Sequence, residues 1–587
     1  MRLVQYPFKA ASIQFNPKLH EREENIRDLL KIVTEAAQKG AKLIVTPEMA
    51  TTGYHYADRQ AIEPFVDTIP GVTTGQFEFI AKQYDAYIVI GMPEVDKETG
   101  IYYNSAAFVG PEGYIGKYRK THLWETEERW AAWGDLGIPV FYSKLGKIAI
   151  NICMDSAYFE SARIPALLGA DILVFLTNST AQSISMLQDR AESNGLYIIS
   201  ANRSNTEKGY HMIGASCIWS PYGEKLAETD FIPTSNEDID EPVILYADMN
   251  PRDYDNPGKR RLQERRPELY QELMLSAGPW DSRKTTNSKS IQVAVIQYHP
   301  NVGDKSYNLR KIGDLLMKTV KKAEDFGEKL DLLVLPELSF IGPVHLLSNP
   351  MAYDLAEPMD GLTVKMVKAW AQKYQVHMIF GLIEKENEFL YNTALLISPE
   401  GDCIGKYRKT HLTVTEKEWA SPGQQISVFP TQIGKIGIMI GYDAAFPEVY
   451  GVMAVQRADM IAIPASWEGS YGKEIQLIRE IPIYPYPLGS LTTWNAVAMG
   501  AQAYTIIANY VGCGCLGGSG LYTLDPLYGL DKTRITSMDQ EEGQVFRFTT
   551  VPSEWWFNQE KLILSRRTHF YKPLINDHLM ILDRDVI

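Results

Sequence analysis

Short apolar runs alternate with helical patterns along the first third of the chain. AASIQF (10–15) reads as a strand. In NIRDLLKIVTEAAQKG (25–40) the apolar residues recur at helical spacing, and the pattern stops at Gly40. AKLIVTPE (41–48) predicts a second buried strand ending at an acidic residue. QFEFIAKQYD and AYIVIGMPE repeat the order helix then strand. YNSAAFVGPEGYIGKYRK (103–120) predicts a hairpin, two strands around the turn PEG. GKIAINICMD (146–155) predicts a strand ending at Cys153, and ARIPALLGA and DILVFL give one more helix and strand. Strands and helices in this alternation, with some hairpins, predict mixed α/β layers.

The pattern then repeats. The octapeptide GKYRKTHL stands at 116–123 and again at 405–412, too long a match for chance in a chain of 587 residues. ASIQFNP (11–17) resembles AVIQYHP (294–300), LIVTPEMA (43–50) resembles LLVLPELS (332–339), and GKIAINICMD resembles GKIGIMIGYD (434–443). Glu48 and Lys120 are 72 residues apart, as are Glu337 and Lys409. A period near 289 residues is a duplicated domain, not a solenoid. The joint falls in SAGPWDSRKTTNSKS (276–290), a polar stretch without apolar periodicity, and RRPELY and RRTHFY read as matching repeat ends. The expected domains are 1–276 and 291–587, joined by a linker at 277–290.

Composition narrows the functional classes. A net charge of −14 argues against a duplex-binding face. No run of about 20 apolar residues predicts a transmembrane helix, and the N-terminal stretch has neither the apolar core nor the small-residue cleavage site of a signal peptide. Neither nucleic acid nor membrane is expected as a partner. The 5 cysteines include no CxxC pair, and CGC (513–515) has no second ligand pair, so no zinc site or other metal is expected. A reducing, cytoplasmic compartment is the expectation.

Glu48, Lys120 and Cys153 stand at predicted strand ends, where ligands sit in open α/β sheets. Singly, the Glu reads equally well as a helix cap, the Lys as one more solvated charge and the Cys as inert core. Recurrence of the Glu and Lys with the same separation and flanks argues for a shared job. Chemistry supplies one. A thiolate attacks an acyl carbon once a carboxylate removes its proton, and a neighbouring ammonium stabilises the oxyanion. His122, repeated as His411, follows the Lys by two residues and is read as structural.

These motifs together resemble the nitrilase superfamily, the carbon–nitrogen hydrolases. The resemblance rests on PEM with Glu48, KYRKTHL with Lys120 and INICMDSAYFE with Cys153, and it covers nearly the whole chain. It implies two tandem four-layer α-β-β-α sandwich domains packed as an internal pseudo-dimer, with further homo-oligomerisation left open. It implies Glu48 as general base, Lys120 as oxyanion stabiliser and Cys153 as nucleophile. Glu127, seven residues before Gly134 in TEERWAAWG, matches the family's fourth carboxylate. The Met154 N–H and Asn178 are assigned to the oxyanion and substrate side. RAESNGLYIISANR (190–203) also resembles the family, with Asn202 and Arg203 in its ANR.

The second copy departs from the pattern. Glu337, Lys409 and Glu416 match, but the nucleophile position holds Gly441, and the RAESN segment has drifted to AVAMGAQAYTIIANY. A degenerate, non-catalytic second site is expected, its three charges forming a buried ion network or lining a vacant ligand pocket. Cys513 and Cys515 lie on a different segment and are poor substitutes. In the first copy Asp155, in Cys-x-Asp, tilts the resemblance towards amidases and carbamoylases and away from nitrilases, which tend to have Trp-Glu there. The expected reaction is hydrolysis of a small amide or carbamoyl substrate through a Cys thioester, without a cofactor. Nitrile hydrolysis, N-acyl transfer and a non-catalytic scaffold are the alternatives. Selectivity is expected from the loops at 54–65, 178–189 and 205–212, and Trp124, Trp130 and Trp133 are candidates for an apolar pocket wall. The insertion at 467–494 is the segment expected to reach across to the first copy.

Overall fold

Tyr87, Val89, Ile88 and Ile90 show how the layers form. In the strand Tyr87–Val95 the first two point into a core shared with a second sheet, and the other two into a core shared with helices. This is period-2 alternation with both faces buried, the pattern of a sheet covered on each side. The computed structural model describes residues 6–180, 182–232, 234–278, 289–325, 329–476, 486–524, 532–550 and 557–576. The described chain forms two units.

The first unit takes the described residues up to Glu264, with Gln476 and those from Arg566 onwards. One six-stranded sheet runs in the order Val243–Met249, Phe8–Gln14, Ala41–Val45, Tyr87–Val95, Tyr102–Gly110, Gly113–Arg119. The other runs Lys225–Glu228, Cys217–Trp219, Tyr197–Ala201, Ile172–Leu176, Gly146–Ile152, Val140–Ser143. Each has three parallel strands at its centre and antiparallel strands outside them. Helices Arg22–Gln38 and Val72–Tyr84 cover the first sheet. Helices Glu160–Leu167 and Gln182–Asn194 lie against strands of the second. The layers are therefore α-β-β-α.

The second unit takes Arg265 to Ile475, except for residues outside the described set, and the described residues between 484 and 565. It repeats both six-stranded sheets. Cys403–Arg408, Phe389–Ile397, His377–Glu386, Leu332–Val334, Ser290–Gln297 and Glu542–Thr549 form one; the strands from Val428–Thr431 to Arg534–Ile535 form the other. Helices Lys305–Asp325 and Leu362–Tyr374 pack on the first of these.

The unit boundary does not fall at the sequence joint. Arg265 pairs with buried Glu448 at 2.6 Å, and the Tyr270 hydroxyl meets His411 Nε2 at 2.7 Å, so the RRPELY stretch belongs to the second unit. Arg566 pairs with buried Glu160 at 3.3 Å, so RRTHFY belongs to the first. Residues 279–288 of the expected linker, and 477–485 of the insertion at 467–494, lie outside the described residues. No helix among the described residues is long and apolar enough to cross a membrane.

Candidate active site

Glu48 lies just beyond the strand Ala41–Val45, Lys120 directly follows Gly113–Arg119, and Cys153 directly follows Gly146–Ile152. The predicted strand over 41–48 is shorter than expected, because Thr46 and Pro47 carry the chain on to the Glu. That passage needs a glycine opposite. A Cβ at Gly91 would lie 2.2 Å from the Pro47 carbonyl oxygen and 2.9 Å from Glu48 Cα.

Side chains from four segments meet there. The Lys120 ammonium donates to Glu48 Oε1 and to Glu127 Oε2, each at 2.7 Å. Asn104, on Tyr102–Gly110, bridges the same carboxylates, donating at 2.7 Å to Glu48 Oε1 and at 2.5 Å to Glu127 Oε1. Glu127 Oε2 also accepts the Trp124 N–H at 2.7 Å. Glu48, Lys120, Asn104 and Glu127 are all buried, and in low dielectric such charges persist only when paired and hydrogen-bonded. One acceptor is left open: Glu48 Oε2 has no protein partner. An ammonium has three N–H bonds, so Lys120 keeps one donor beyond its two carboxylates.

Cys153 opens the 3-10 turn Cys153–Ala157 with φ +44°, a left-handed conformation that costs a residue with a Cβ. Asp155 ties this turn to the lysine's segment. Its Oδ2 accepts from Ile152 N–H at 2.9 Å and from the Tyr118 hydroxyl at 2.7 Å. Its Oδ1 accepts from His122 N–H at 3.0 Å and the Thr121 hydroxyl at 2.9 Å, and lies 2.8 Å from His122 Nδ1. His122 thus faces Asp155 and stacks on Tyr158, away from proton transfer to the sulfur. Asn178 donates through Nδ2 to the Glu48 main-chain carbonyl at 3.2 Å, and its Oδ1 is buried without a partner. Met154, whose N–H is expected on the oxyanion side from the family resemblance alone, is the second residue of the turn.

The electrostatics separate the groups by role. Burial pushes the Glu48 pKa up to about 7, with Lys120 opposing and Glu127 adding to the rise. Burial and then Glu48 push the Cys153 thiol up to about 12, against Lys120. Burial alone would lower the Lys120 pKa, but Glu127 and Glu48 outweigh it and hold the ammonium protonated. Near neutral pH the resting site therefore keeps its proton on sulfur, next to a carboxylate balanced between its two forms.

Of the loops expected to confer selectivity, 54–65 and 205–212 pack near this cluster, whereas the expected loop at 178–189 runs into the helix Gln182–Asn194 and its residue 181 lies outside the described residues. Tyr54, Tyr56, Ile62 and Trp130 form an apolar cluster with Met49 and Leu123, and Trp133 packs on it. The Tyr54 ring lies 6.0 Å from the Lys120 ammonium. Glu207 Oε1 accepts the main-chain N–H groups of Tyr54 and His55 at 2.9 and 2.8 Å, and its Oε2 accepts from Arg203 at 2.9 Å. The loops at 54–65 and 205–212 are thereby tied together.

In the second unit Lys409 contacts Glu337 Oε1 and Glu416 Oε2, each at 2.7 Å, and Asn392 bridges the two carboxylates at 2.7 Å each. Burial raises the Glu416 pKa, with Lys409 opposing and Glu337 adding to the rise. Here the second oxygen of the Glu is not open: the Ser466 hydroxyl donates to Glu337 Oε2 at 2.6 Å. Gly441 has φ +40° at the place Cys153 holds in the first unit, and a Cβ there would lie 2.9 Å from Glu337 Oε2. Cys513 and Cys515 are in and beside the hairpin Val511–Gly512/Cys515–Leu516, where Cys513 Sγ lies 3.9 Å from His299 Nε2.

Comparison with known proteins agrees with this doubled arrangement. Residues 9–254 and 292–544 both match the carbon–nitrogen hydrolase family. The chain belongs to that family. Its first-unit-sized matches include a nitrilase of Pyrococcus abyssi, 36% identical over 260 residues, which are 42% of this chain and 98% of that protein. An omega-amidase of Xenopus laevis is 30% identical over 39% of this chain and 84% of its own length, and a formamidase of Bacillus cereus is 32% identical over 38% and 70%. Among solved structures, a mutant of the Nesterenkonia AN1 amidase from the nitrilase superfamily aligns with 46% of this chain and 98% of its own, at 21% identity and a TM-score of 0.38.

Residues in or beside these two clusters that went unread in the sequence are Asn104 with its counterpart Asn392, Thr177, and Ser466. The asparagines had a signal, since YNSA and YNTA recur within the repeated hairpin. Ser466 had none, because it acts only through its contact with Glu337.

Proposed function

We propose that the chain is an amidase-type hydrolase that cleaves a small amide or carbamoyl C–N bond at one site, with Cys153 as nucleophile. The observation that carries this reading is the open Glu48 Oε2, in a carboxylate otherwise fixed by Lys120 and Asn104 and acting on the thiol of Cys153. Cys153 Sγ attacks the carbonyl carbon while Glu48 takes the thiol proton. The free N–H of Lys120 and the Met154 N–H hold the oxyanion. Glu48 passes its proton to the nitrogen, the C–N bond breaks and ammonia or an amine leaves. Water then attacks the thioester and gives a proton to Glu48. The C–S bond breaks, the sulfur regains a proton, and the acid is released. Because the thiol holds its proton far above neutrality, attack and proton transfer occur together, without a standing thiolate. Glu127 and Asn104 keep Lys120 and Glu48 in place.

In this reading the second unit lacks a nucleophile and is non-catalytic. Its charges satisfy one another through Lys409, Asn392 and Ser466, which supports a structural ion network over a vacant ligand pocket. A second reading, hydrolysis of a nitrile, draws on the similarity to a protein named a nitrilase; Asp155 weighs against it. Assaying a panel of amides, carbamoyl compounds and nitriles for ammonia release decides between them. Release from amides alone supports the amidase, and release from nitriles alone overturns it.

A further inference from the structure

Cys153 and Thr177 end neighbouring strands. Gly146–Ile152 and Ile172–Leu176 pair in parallel, and their last matched positions are Ile152 and Leu176. The next residue on each strand brings Cys153 beside Thr177. Thr177 is fully buried, and its main-chain N–H is used by the Ala201 carbonyl at 2.9 Å. Its hydroxyl completes no well-formed hydrogen bond to a protein atom at rest, yet it lies close enough to Cys153 to lower the thiol pKa as a donor. A buried hydroxyl without a partner is costly to keep. Among the side chains that draw the Cys153 pKa down against burial and Glu48, Lys120 is first and Thr177 second.

The second unit supplies a control within the same chain. Gly434–Ile438 and Met460–Pro464 pair in parallel with Ile438 opposite Ala462, and by that offset Gly441 corresponds to Ala465, the residue just past Met460–Pro464 as Thr177 is just past Ile172–Leu176. Ala465 makes the same main-chain bond, to Ala508 at 2.8 Å. The strand end is therefore built equally well without a hydroxyl. Sulfur and hydroxyl are absent together.

We propose that Thr177 is a positioning residue for the nucleophile, its hydroxyl turning to the Cys153 sulfur as the thiol proton leaves. It donates a hydrogen bond to the sulfur as negative charge builds there, and again when the sulfur departs from the acyl carbon. The thiol proton goes to Glu48 throughout, and Thr177 keeps its own. Glu48 and Lys120 supply the base and the positive charge, and Thr177 supplies the short-range donor that neither offers to sulfur. The inference rests on the amide-hydrolase reading above.

The test uses the full chain with Thr177→Val, which keeps shape and removes the hydroxyl, Thr177→Ser, which keeps the hydroxyl, and Thr177→Ala, the residue the second unit tolerates. Iodoacetamide labelling of the Cys153 peptide is followed by mass across pH, with ammonia release from the best amide of the panel and thermal unfolding alongside. Hydrogen bonds to charged groups are strong, so Thr177→Val should slow labelling at pH 7 by about tenfold or more. Its labelling midpoint should move up by about one pH unit, since the thiolate loses a donor. kcat should fall in step while KM changes little, and Thr177→Ser should stay within about threefold of the parent. If Thr177→Val unfolds, the Ser and Ala variants carry the same contrast. Thr177→Val or Thr177→Ala labelling and turning over like the parent overturns the role of Thr177 alone. A parent protein that neither labels selectively at Cys153 nor releases ammonia overturns the hydrolase reading and this inference with it.

Discussion

Ser466 donates a 2.6 Å hydrogen bond to Glu337 Oε2, whereas the corresponding Oε2 of Glu48 accepts none. The difference arises at one strand end. Where the second unit has Ser466, the first has Asn178, whose amide reaches past the carboxylate to the Glu48 main-chain oxygen. One copy thus leaves that carboxylate oxygen open, and in the other the same oxygen is occupied.

Restoring the sulfur alone should therefore fail. In a Cys153→Ala background, Gly441→Cys places a Cβ 2.9 Å from a carboxylate oxygen already held by Ser466, and Ala465 stands where the first unit has the Thr177 hydroxyl. Ammonia release should stay at the level of Cys153→Ala. Recovery to more than about a hundredth of parental activity, within two decades of the parent when losing a nucleophile costs several, would contradict this account.

The pH profile follows from Glu48. Its pKa is pushed up to about 7, and the base must be ionised to accept the thiol proton. kcat/KM should rise with pH through a midpoint near 7, because protonated Glu48 predominates below it. Glu48→Gln should remove most of the activity at every pH. A flat profile between pH 5 and 8 would argue that another group is the base.

Asn104 is the shared donor that holds Glu48 and Glu127 around Lys120. Asn104→Leu leaves both carboxylates short of a buried hydrogen bond, and Asn104→Asp adds a third negative charge. Loss of a buried donor to a charged group is worth about 1.5–3 kcal/mol, so kcat should fall roughly tenfold to a hundredfold in the Leu variant. The Asp variant should fall further. Steady-state kinetics on the three proteins checks the order.

Much of this was legible in the sequence, for identifiable reasons. The duplication exposed Glu48 and Lys120 because identical flanks recur at one spacing, and short apolar runs located the central strands. Asn104 was hidden because an Asn in a hairpin strand has no chemistry until two carboxylates are known to flank it. Thr177 was hidden because its partner comes from a strand paired in parallel, a register that sequence periodicity does not give. The exchange of RRPELY and RRTHFY between units was also invisible. Both stretches look like tails of the copies that precede them, and only the ion pairs of Arg265 with Glu448 and Arg566 with Glu160 assign them otherwise.

That exchange predicts the behaviour of a fragment. Residues 1–276 alone lack Arg566, which leaves Glu160 buried and unpaired. Removing one partner of a buried pair costs about 3–5 kcal/mol. The fragment, and the full chain carrying Arg566→Ala, should both unfold at lower temperature than the intact protein. A fragment as stable and as active as the full chain would show that the pair contributes nothing.

The central claim is tested most directly by ammonia release from an amide panel, comparing the parent chain with Cys153→Ala at equal concentration of folded protein. The account predicts release by the parent and a loss greater than about a thousandfold in the variant, as expected when the nucleophile of a concerted site is removed. Comparable release by the two proteins would contradict it.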